Sequence, residues 1–557
     1  MQLLHIKDKI FISFSYSPQI VNDIKTIYGR KYNPENKTWE IPIQGENLLQ
    51  IQDFIIKYKI EIPESLSILI NQQQKLKNIE QQNFEDSKAE NAEIEILGIK
   101  GILYPFQKAG VKYAINNKKI IIGDQPGLGK SCQAIVAIHH FNAYPNITLV
   151  PNNVKYKWRD KEWQYWVDKE CQIIETNDKE EIIKKKLQSE IIICNYNTLS
   201  KFIDLISQIK FQSIICDESH FLKEKKTKRT QGVINLLKKQ DIPIRLLLTG
   251  TVSVNKPKEL ISQLEIIDRL NQFGGWWEFA KRYCNAHYDS WGMNIEGATN
   301  LEELHNKLRN ICYVRRNKKD VLKELPDKQS TIFTVDISNS GDYKRAENDV
   351  ISYLKGIDPE KAYLAQSAEQ LVQINVLKKL SAQGKIKEAI NWIEDFLESD
   401  EKLVVTAFHS EIIDILSQYF KCNQISGKIT GKERDRVVQD FMSNSETKII
   451  ILSSHRDCGI GIDLFASSDM LILELGWTVG EMVQLEDRLH RIGQKNACNY
   501  YYMMGKNTID IDIYNLLEEK KKIVETINRG GFQEEYEVKI VNGIISKLLK
   551  KGYNNLS

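Results

Sequence analysis

No two of the nine cysteines in this sequence stand as C-x-x-C; they are scattered singly. Neither a zinc site nor a disulfide framework is therefore indicated. Excess charge is missing as well. With 77 basic and 74 acidic side chains the formal net charge is +3, so there is no global attraction for nucleic acid and any basic surface must be local. No apolar run approaches a membrane span, and the opening MQLLHIKDK turns charged too soon for a signal peptide. No short internal repeat is present. The expectation is a soluble protein of a reducing intracellular compartment with no membrane partner, cytoplasmic in a bacterium or phage and nuclear in a eukaryote.

At 557 residues the chain has room for three or four domains. Residues 1–70 read as a small α+β module. Ile10 to Phe14 alternate as a strand, Ser17-Pro18 starts a helix, Gly29 can end it, and Thr38 to Ile41 are strand-like again. Residues 71–97 are a polar linker, helical or disordered. Over residues 98–270 the apolar runs IIIGD, ITLV, IIIC, SIIC and RLLLTG alternate with helical stretches, the rhythm of a parallel sheet wrapped by helices. A largely helical, aromatic-rich region fills 271–384. A second alternating series, KLVVTAF, TKIIILS and DMLILEL, occupies 385–525, and a basic extension runs over 526–557. The fold class is α/β with two such lobes and a cleft between them, a natural ligand site.

The sequence GDQPGLGKSCQ at 123–133 follows the apolar run Lys119 to Ile122. In the pattern G-x-x-x-x-G-K-[ST] the first glycine would fall at Asp124, but the rest is present. Gly127 and Gly129 can take the backbone angles of a turn whose N–H groups close on a polyphosphate. Lys130 would reach the β- and γ-phosphates, and the Ser131 hydroxyl would bind Mg²⁺. An ordinary Gly-rich strand-helix turn is the plain alternative. Asp217 and Glu218 follow the strand Ser213 to Cys216. ATP hydrolysis needs one carboxylate for the metal and one for the attacking water, roles that suit Asp217 and Glu218 in that order.

These motifs resemble those of superfamily-two helicases, and more narrowly the Swi/Snf-type (Snf-two) DNA translocases, from about residue 100 to 525. DESH at 217–220 is similar to their DEAD/DEAH box, and Asp124 to Ser131 to their first motif, with Gln125 in place of an acid and Ser131 of a threonine. The resemblance implies two RecA-like lobes and ATP with Mg²⁺ as cofactors. It further implies a base-reading role for Gln107 in LYPFQ and coupling through Leu248 to Thr251. In QLEDRLHRIGQ at 484–494 the three-residue spacing places Arg488 and Arg491 on one helical face, plainly read as a solvated one, and the resemblance implies that both act as arginine fingers. Gly461 and Gln484 are implied beside the nucleotide. Asp463 and Phe465 stand where asparagine and threonine are common.

Family members step along duplex DNA, so double-stranded or branched DNA is the implied partner, with single-stranded DNA as a further one. Candidate phosphate contacts are Lys155, Lys157, Arg159, Asn197, Thr198 and Thr251. Residues 16–43 resemble the HARP-type module of annealing helicases, which rewind DNA and remodel forks, and Arg30, Lys31 and Lys37 would grip branched or single-stranded DNA there. Trp158, Trp163 and Trp166 read as packing residues rather than base-stacking ones. Rival readings are a motor that displaces proteins from DNA and a non-catalytic DNA-binding scaffold; the intact Lys130, Asp217, Glu218, Arg488 and Arg491 speak against the scaffold.

Overall fold

The computed structural model describes residues 1–43, 45–250, 257–289, 292–348, 369–429, 431–454 and 461–527. The chain divides into two compact units at Asp86 and Ser87.

The first unit is a four-stranded antiparallel sheet of order β1-β2-β4-β3, from β1 (Gln2–Ile6), β2 (Lys9–Ser13), β3 (Lys31–Asn33) and β4 (Thr38–Pro42). Helices α1 (Pro18–Ile24), α2 (Gly45–Tyr58) and α3 (Glu64–Asp86) accompany it. Ile10, Ile12, Ile24, Ile27 and Ile41 form its core. Leu66 and Ile70 are buried in the same core, so α3 starts inside the unit and carries it to Asp86, past the expected end at 70. The polar stretch 71–86 is the rest of that helix.

The second unit holds two parallel sheets. The first lobe contains β5 (Lys119–Ile122), β6 (Asn146–Val150), β7 (Cys171–Ile173), β8 (Ile191–Asn195), β9 (Ser213–Cys216) and β10 (Ile244–Leu248). Helix α4 (Pro105–Asn117) precedes β5, and α5 (Lys130–His140) follows it. After a hairpin of β11 (His287–Asp289) and β12 (Gly292–Asn294) comes β13 (Tyr313–Val314). The sheet order is β13-β5-β10-β9-β6-β8-β7. Its central strands are covered on both faces, which is why they read as unbroken runs of Ile and Leu rather than as alternation.

The second lobe is built from β14 (Lys328–Val335), β15 (Leu403–Ala407), β16 (Gln424–Ile425), β17 (Ile449–Ser453), β18 (Asp469–Ile472) and β19 (Cys498–Gly505), in the order β14-β19-β18-β15-β17-β16. Residues 271–384, expected to be helical, thus also give a strand to each sheet. β13 is only two residues long and β14 is an edge strand with most positions exposed, so neither carries a strong apolar signal. The described cysteines are unpaired. Among the described residues no helix is long and apolar enough to cross a membrane.

Candidate functional site

In parallel sheets wrapped by helices, ligands gather at the carboxyl ends of the strands. The turn from β5 into α5 lies at such an end. Gly127 (φ +85°) and Gly129 (φ +76°) are both left-handed there, and a Cβ on Gly129 would stand 2.5 Å from Gln107 Nε2. Only glycine fits. Lys130 Nζ donates to the Asp124 carbonyl at 2.9 Å across the loop.

Asp124 braces the loop from within. Its carboxylate is fully buried and accepts from Gln133 Nε2 and from the Arg316 backbone N–H, each at 2.9 Å, with the Arg316 guanidinium alongside. Gln125 Oε1 accepts from the Lys318 N–H at 2.8 Å. The two residues therefore tie the phosphate loop to the chain leaving β13, which pairs with β5. Gln107 has the same bracing character. Its Oε1 accepts from the Tyr104 N–H at 3.0 Å and its Nε2 donates to the Leu128 carbonyl at 3.2 Å, while it also lines the cavity described next.

A cavity of about 760 Å³ opens on this loop and reaches both lobes. Its walls include Gln107, Gly127, Gly129, Lys130, Ser131, Asp217 and Glu218 from the first lobe, and Gly461, Gln484, Arg488 and Arg491 from the second. Asp217 Oδ2 accepts from the Trp158 indole at 2.8 Å, and Oδ1 from the Glu218 N–H at 2.9 Å. Trp158 is thus a buried support for the acidic pair, and Trp163, which donates to Thr148 Oγ1 at 3.0 Å, is core. Glu218 takes a left-handed backbone (φ 48°, ψ 51°), a conformation uncommon for residues other than glycine. His220 Nδ1 lies 3.2 Å from its carboxylate.

Burial and the neighbouring Glu218 charge push the Asp217 carboxyl up to about 6. Burial works against the Glu218 charge too, but His220, Lys130 and Arg488 outweigh it and hold Glu218 below the usual carboxylate range. Burial also lowers Lys130, with Glu218, Asp124 and Asp217 opposing. The two acids thus share one buried site, with Lys130, His220 and Arg488 supplying the opposing charge.

Arg488 and Arg491 do not share a helical face, because the helix Val479–Glu486 stops short of them and a run of turns carries both. They converge all the same. Each donates Nη1 to the Ile462 carbonyl, at 3.4 Å and 3.0 Å. A Cβ on Gly127 would meet the Arg491 Cβ at 3.1 Å, so this arginine of the second lobe lies on the phosphate loop of the first. The Arg488 Nε is buried with no hydrogen-bond partner among the described residues.

Lys155, Lys157 and Arg159, after β6, are each engaged by an acid of the protein. Lys155 is buried and ion-paired with Glu175. Arg159 is engaged by Asp160 through two hydrogen bonds and lies over the Tyr156 ring. Lys157 points into the first cavity, bonded to Asp463 at 3.0 Å, and burial lowers it to about 8. Thr198 is buried, its N–H capped by Asn195 and its hydroxyl on Thr176. Asn197 is exposed and lines a second cavity of about 650 Å³ with Asn152, Asn153 and Arg229 of the first lobe and Arg434 of the second. Thr251 lies outside the described residues, as do 528–557. In the first unit Lys31 and Lys37 are exposed on the β3–β4 hairpin, and Arg30 caps Ile27 through Nη1 at 3.2 Å. Sequence reasoning missed Lys157 and Asp463 as cavity residues, Glu162 beside them and the bracing Arg316 and Lys318; Asp463 drew notice only as a departure from the family's usual asparagine, and the others carry no local signal of these contacts.

The SNF2-related domain family matches residues 104–386, and the helicase conserved C-terminal domain family matches residues 384–493. Among curated relatives, the DNA annealing helicase and endonuclease ZRANB3 of Bos taurus is 29% identical over 78% of this chain and 41% of its own length. The SWI/SNF-related matrix-associated actin-dependent regulator of chromatin subfamily A-like protein 1 of Xenopus laevis is 26% identical over 96% of this chain and 55% of its own. The homolog of the latter in Caenorhabditis elegans is 27% identical over 94% and 75%. The chain spans about half the length of the first of these curated relatives. Of solved structures, the Sulfolobus solfataricus SWI2/SNF2 ATPase core in complex with dsDNA covers 78% of this chain and 94% of its own, at 22% identity and a TM-score of 0.38.

Proposed function

The chain belongs to the SNF2-related family, and from that premise we propose that it is a DNA-dependent ATPase that moves along duplex DNA inside the cell and rewinds or remodels branched DNA in replication or repair. One observation carries the motor reading. A single cavity gathers a lysine and a hydroxyl on a phosphate loop, an acidic pair, and two arginines from the opposite lobe.

Each side chain then has work to do. Lys130 and the loop N–H groups bind the β- and γ-phosphates of ATP. Glu218, held ionised, orients the attacking water. Arg488 and Arg491 meet the charge that develops on the transferred phosphoryl group, which makes hydrolysis depend on lobe closure; such an arginine is worth roughly 10³–10⁵ in turnover. Ser131 and Asp217 are the hard oxygen donors that suit Mg²⁺, and an ionised Asp217 gains most from a cation because burial disfavours its bare charge. Among the described residues no group of three or more His, Cys, Asp or Glu side chains is arranged to hold an ion alone, so phosphate oxygens would complete the set. Bound there, Mg²⁺ supplies neutralisation of phosphate charge.

The choice of branched DNA rests on relatives named as annealing helicases and on the small N-terminal unit with its exposed Lys31 and Lys37. The second cavity, with Asn197, Arg229 and Arg434 drawn from both lobes, suits a nucleic-acid backbone, whose phosphates fix register without reading sequence. ATP hydrolysis measured with no DNA, duplex, forked and single-stranded DNA tests the proposal. Stimulation by duplex or forked DNA that Lys130→Ala and Glu218→Gln abolish is expected. A wild-type protein that hydrolyses no ATP with any of them overturns it.

A further inference from the structure

Lys157 and Asp463 are 306 residues apart in sequence, yet their side chains meet inside the nucleotide cavity. Lys157 belongs to the first lobe, on the segment that follows β6. Asp463 belongs to the second, next to Ile462, whose carbonyl accepts from Arg491 Nη1 at 3.0 Å. The Asp463 carboxylate is shared. Oδ2 accepts from Lys157 Nζ at 3.0 Å, while Oδ1 pairs with Arg491 Nη1. One anion thus binds a cation from each lobe.

The consequence for Arg491 follows from its geometry. A guanidinium offers five N–H donors in a rigid fork. Its Nη1 corner is engaged by the Ile462 carbonyl and Asp463. Its Nε edge faces the phosphate loop, 3.6 Å from where a Cβ on Gly127 would stand. Fastening one corner fixes the direction of the other. Without the carboxylate, Lys157 and Arg491 would confront each other as like charges in a half-buried space, with Arg488 near by and Glu162 3.9 Å from Lys157 as the next acid. Repulsion of that kind drives a long side chain out towards water.

We infer that Asp463 is a positioning residue for ATP hydrolysis: it holds Arg491 with one oxygen and the first lobe's Lys157 with the other, so that the arginine's Nε edge is presented to the phosphate loop when the lobes are together. The inference rests on the ATPase reading above. Lys157 makes the arrangement dependent on closure, because its bond to Asp463 exists only while the two lobes are in contact. An asparagine at 463 has a single acceptor oxygen and a donor NH₂ in place of the second, so it can satisfy one of the two cations but not both.

The test is steady-state, DNA-stimulated ATP hydrolysis by Asp463→Ala, Asp463→Asn, Lys157→Met, Arg491→Ala and the double variant Asp463→Ala/Arg491→Ala. Loss of orientation at a finger worth several orders of magnitude should lower kcat of Asp463→Ala about ten-fold or more, with KM for ATP changed by less than about two-fold. Asp463→Asn and Lys157→Met should fall between it and wild type. Because Asp463 acts through the arginine, the double variant should be no slower than Arg491→Ala alone. A wild-type kcat in Asp463→Ala overturns the inference. So does a further loss on adding it to Arg491→Ala, which would mark a structural role, or a rise in KM at unchanged kcat. Thermal melting checks folding, and if Asp463→Ala does not fold, the same criteria fall on Asp463→Asn, alone and combined with Arg491→Ala. An inactive wild type would sink the ATPase reading and this inference together, whereas an active wild type matched by Asp463→Ala would sink this inference alone.

Discussion

Arg491 and Asp217 show how far a residue's role depends on what surrounds it. Arg491 lies on Gly127 from the opposite lobe and has its Nη1 corner fastened within its own lobe. Its replacement by alanine should therefore leave ATP affinity nearly intact while turnover at saturation collapses. Equilibrium binding of a fluorescent ATP analogue beside kcat separates the two; weakened binding at unchanged kcat would make it a ground-state ligand instead. For Asp217 the prediction concerns pH. Burial and Glu218 raise its carboxyl to about 6 from 3.8, so its ionised form destabilises the nucleotide-free, metal-free fold. That penalty is fully present above about pH 6 and disappears as pH falls towards 3.8, because the folded state then binds the proton more readily than the unfolded one. Asp217→Asn should accordingly raise the melting temperature at pH 7.5, by an amount that shrinks as pH is lowered from 7 to 4. A gain independent of pH would contradict the assignment.

Among the elements, the second lobe's sheet is held at one end by a buried cation. Lys385 is 1% exposed and donates to the Leu473 carbonyl at 2.5 Å, the Met503 carbonyl at 3.0 Å and Asp510 Oδ2 at 2.6 Å. It thereby ties the chain after β18, the strand β19 and the start of the helix Ile509–Ile527. Removing one partner of a buried ion pair leaves the other charge uncompensated, which costs about 3–5 kcal/mol. Lys385→Met should lower the denaturant midpoint of the second lobe accordingly, and Asp510→Asn in the same chain should recover part of the loss. Ser381 and the Gly505 N–H still donate to Asp510, so the recovery should be partial. The strands themselves were legible wherever both faces are buried. β5, β6, β8, β9, β10, β15, β17 and β18 all coincide with apolar runs, because a strand covered on both sides has no polar face to show. β14 and β19 were not, since the first is an exposed edge and the second mixes tyrosines with methionines.

Taken whole, the molecule separates a small N-terminal unit from the two-lobed remainder at Asp86 and Ser87. Every described residue lining the proposed nucleotide cavity lies beyond that boundary. Deleting residues 1–86 should therefore leave a protein that folds and hydrolyses ATP with duplex DNA, while activity on forks and strand annealing falls selectively. Loss of contacts from Arg30, Lys31 and Lys37 should also flatten the salt dependence of forked-DNA binding. An equal loss of basal ATP hydrolysis would make the unit structurally necessary to the first lobe. Unchanged fork activity would leave a general duplex translocase.

The sequence by itself determined the α/β class and the rhythm of two lobes, and it singled out the glycine turn, the acidic pair and the arginine segment that the fold brings to one cavity. These are local facts: a glycine turn, two adjacent acids after a strand or an apolar run is complete within a dozen residues. Tertiary structure alone decided which partner each charge would take. With 77 basic and 74 acidic side chains, no rule of spacing selects Asp463 as the anion for both Lys157 and Arg491, or pairs Lys155 with Glu175. Nor does it show that Asp124 braces Arg316. Coulombic pairing has no sequence range; its partner is whichever opposite charge the packed strands and loops bring within a few ångströms, and only the folded chain makes that choice.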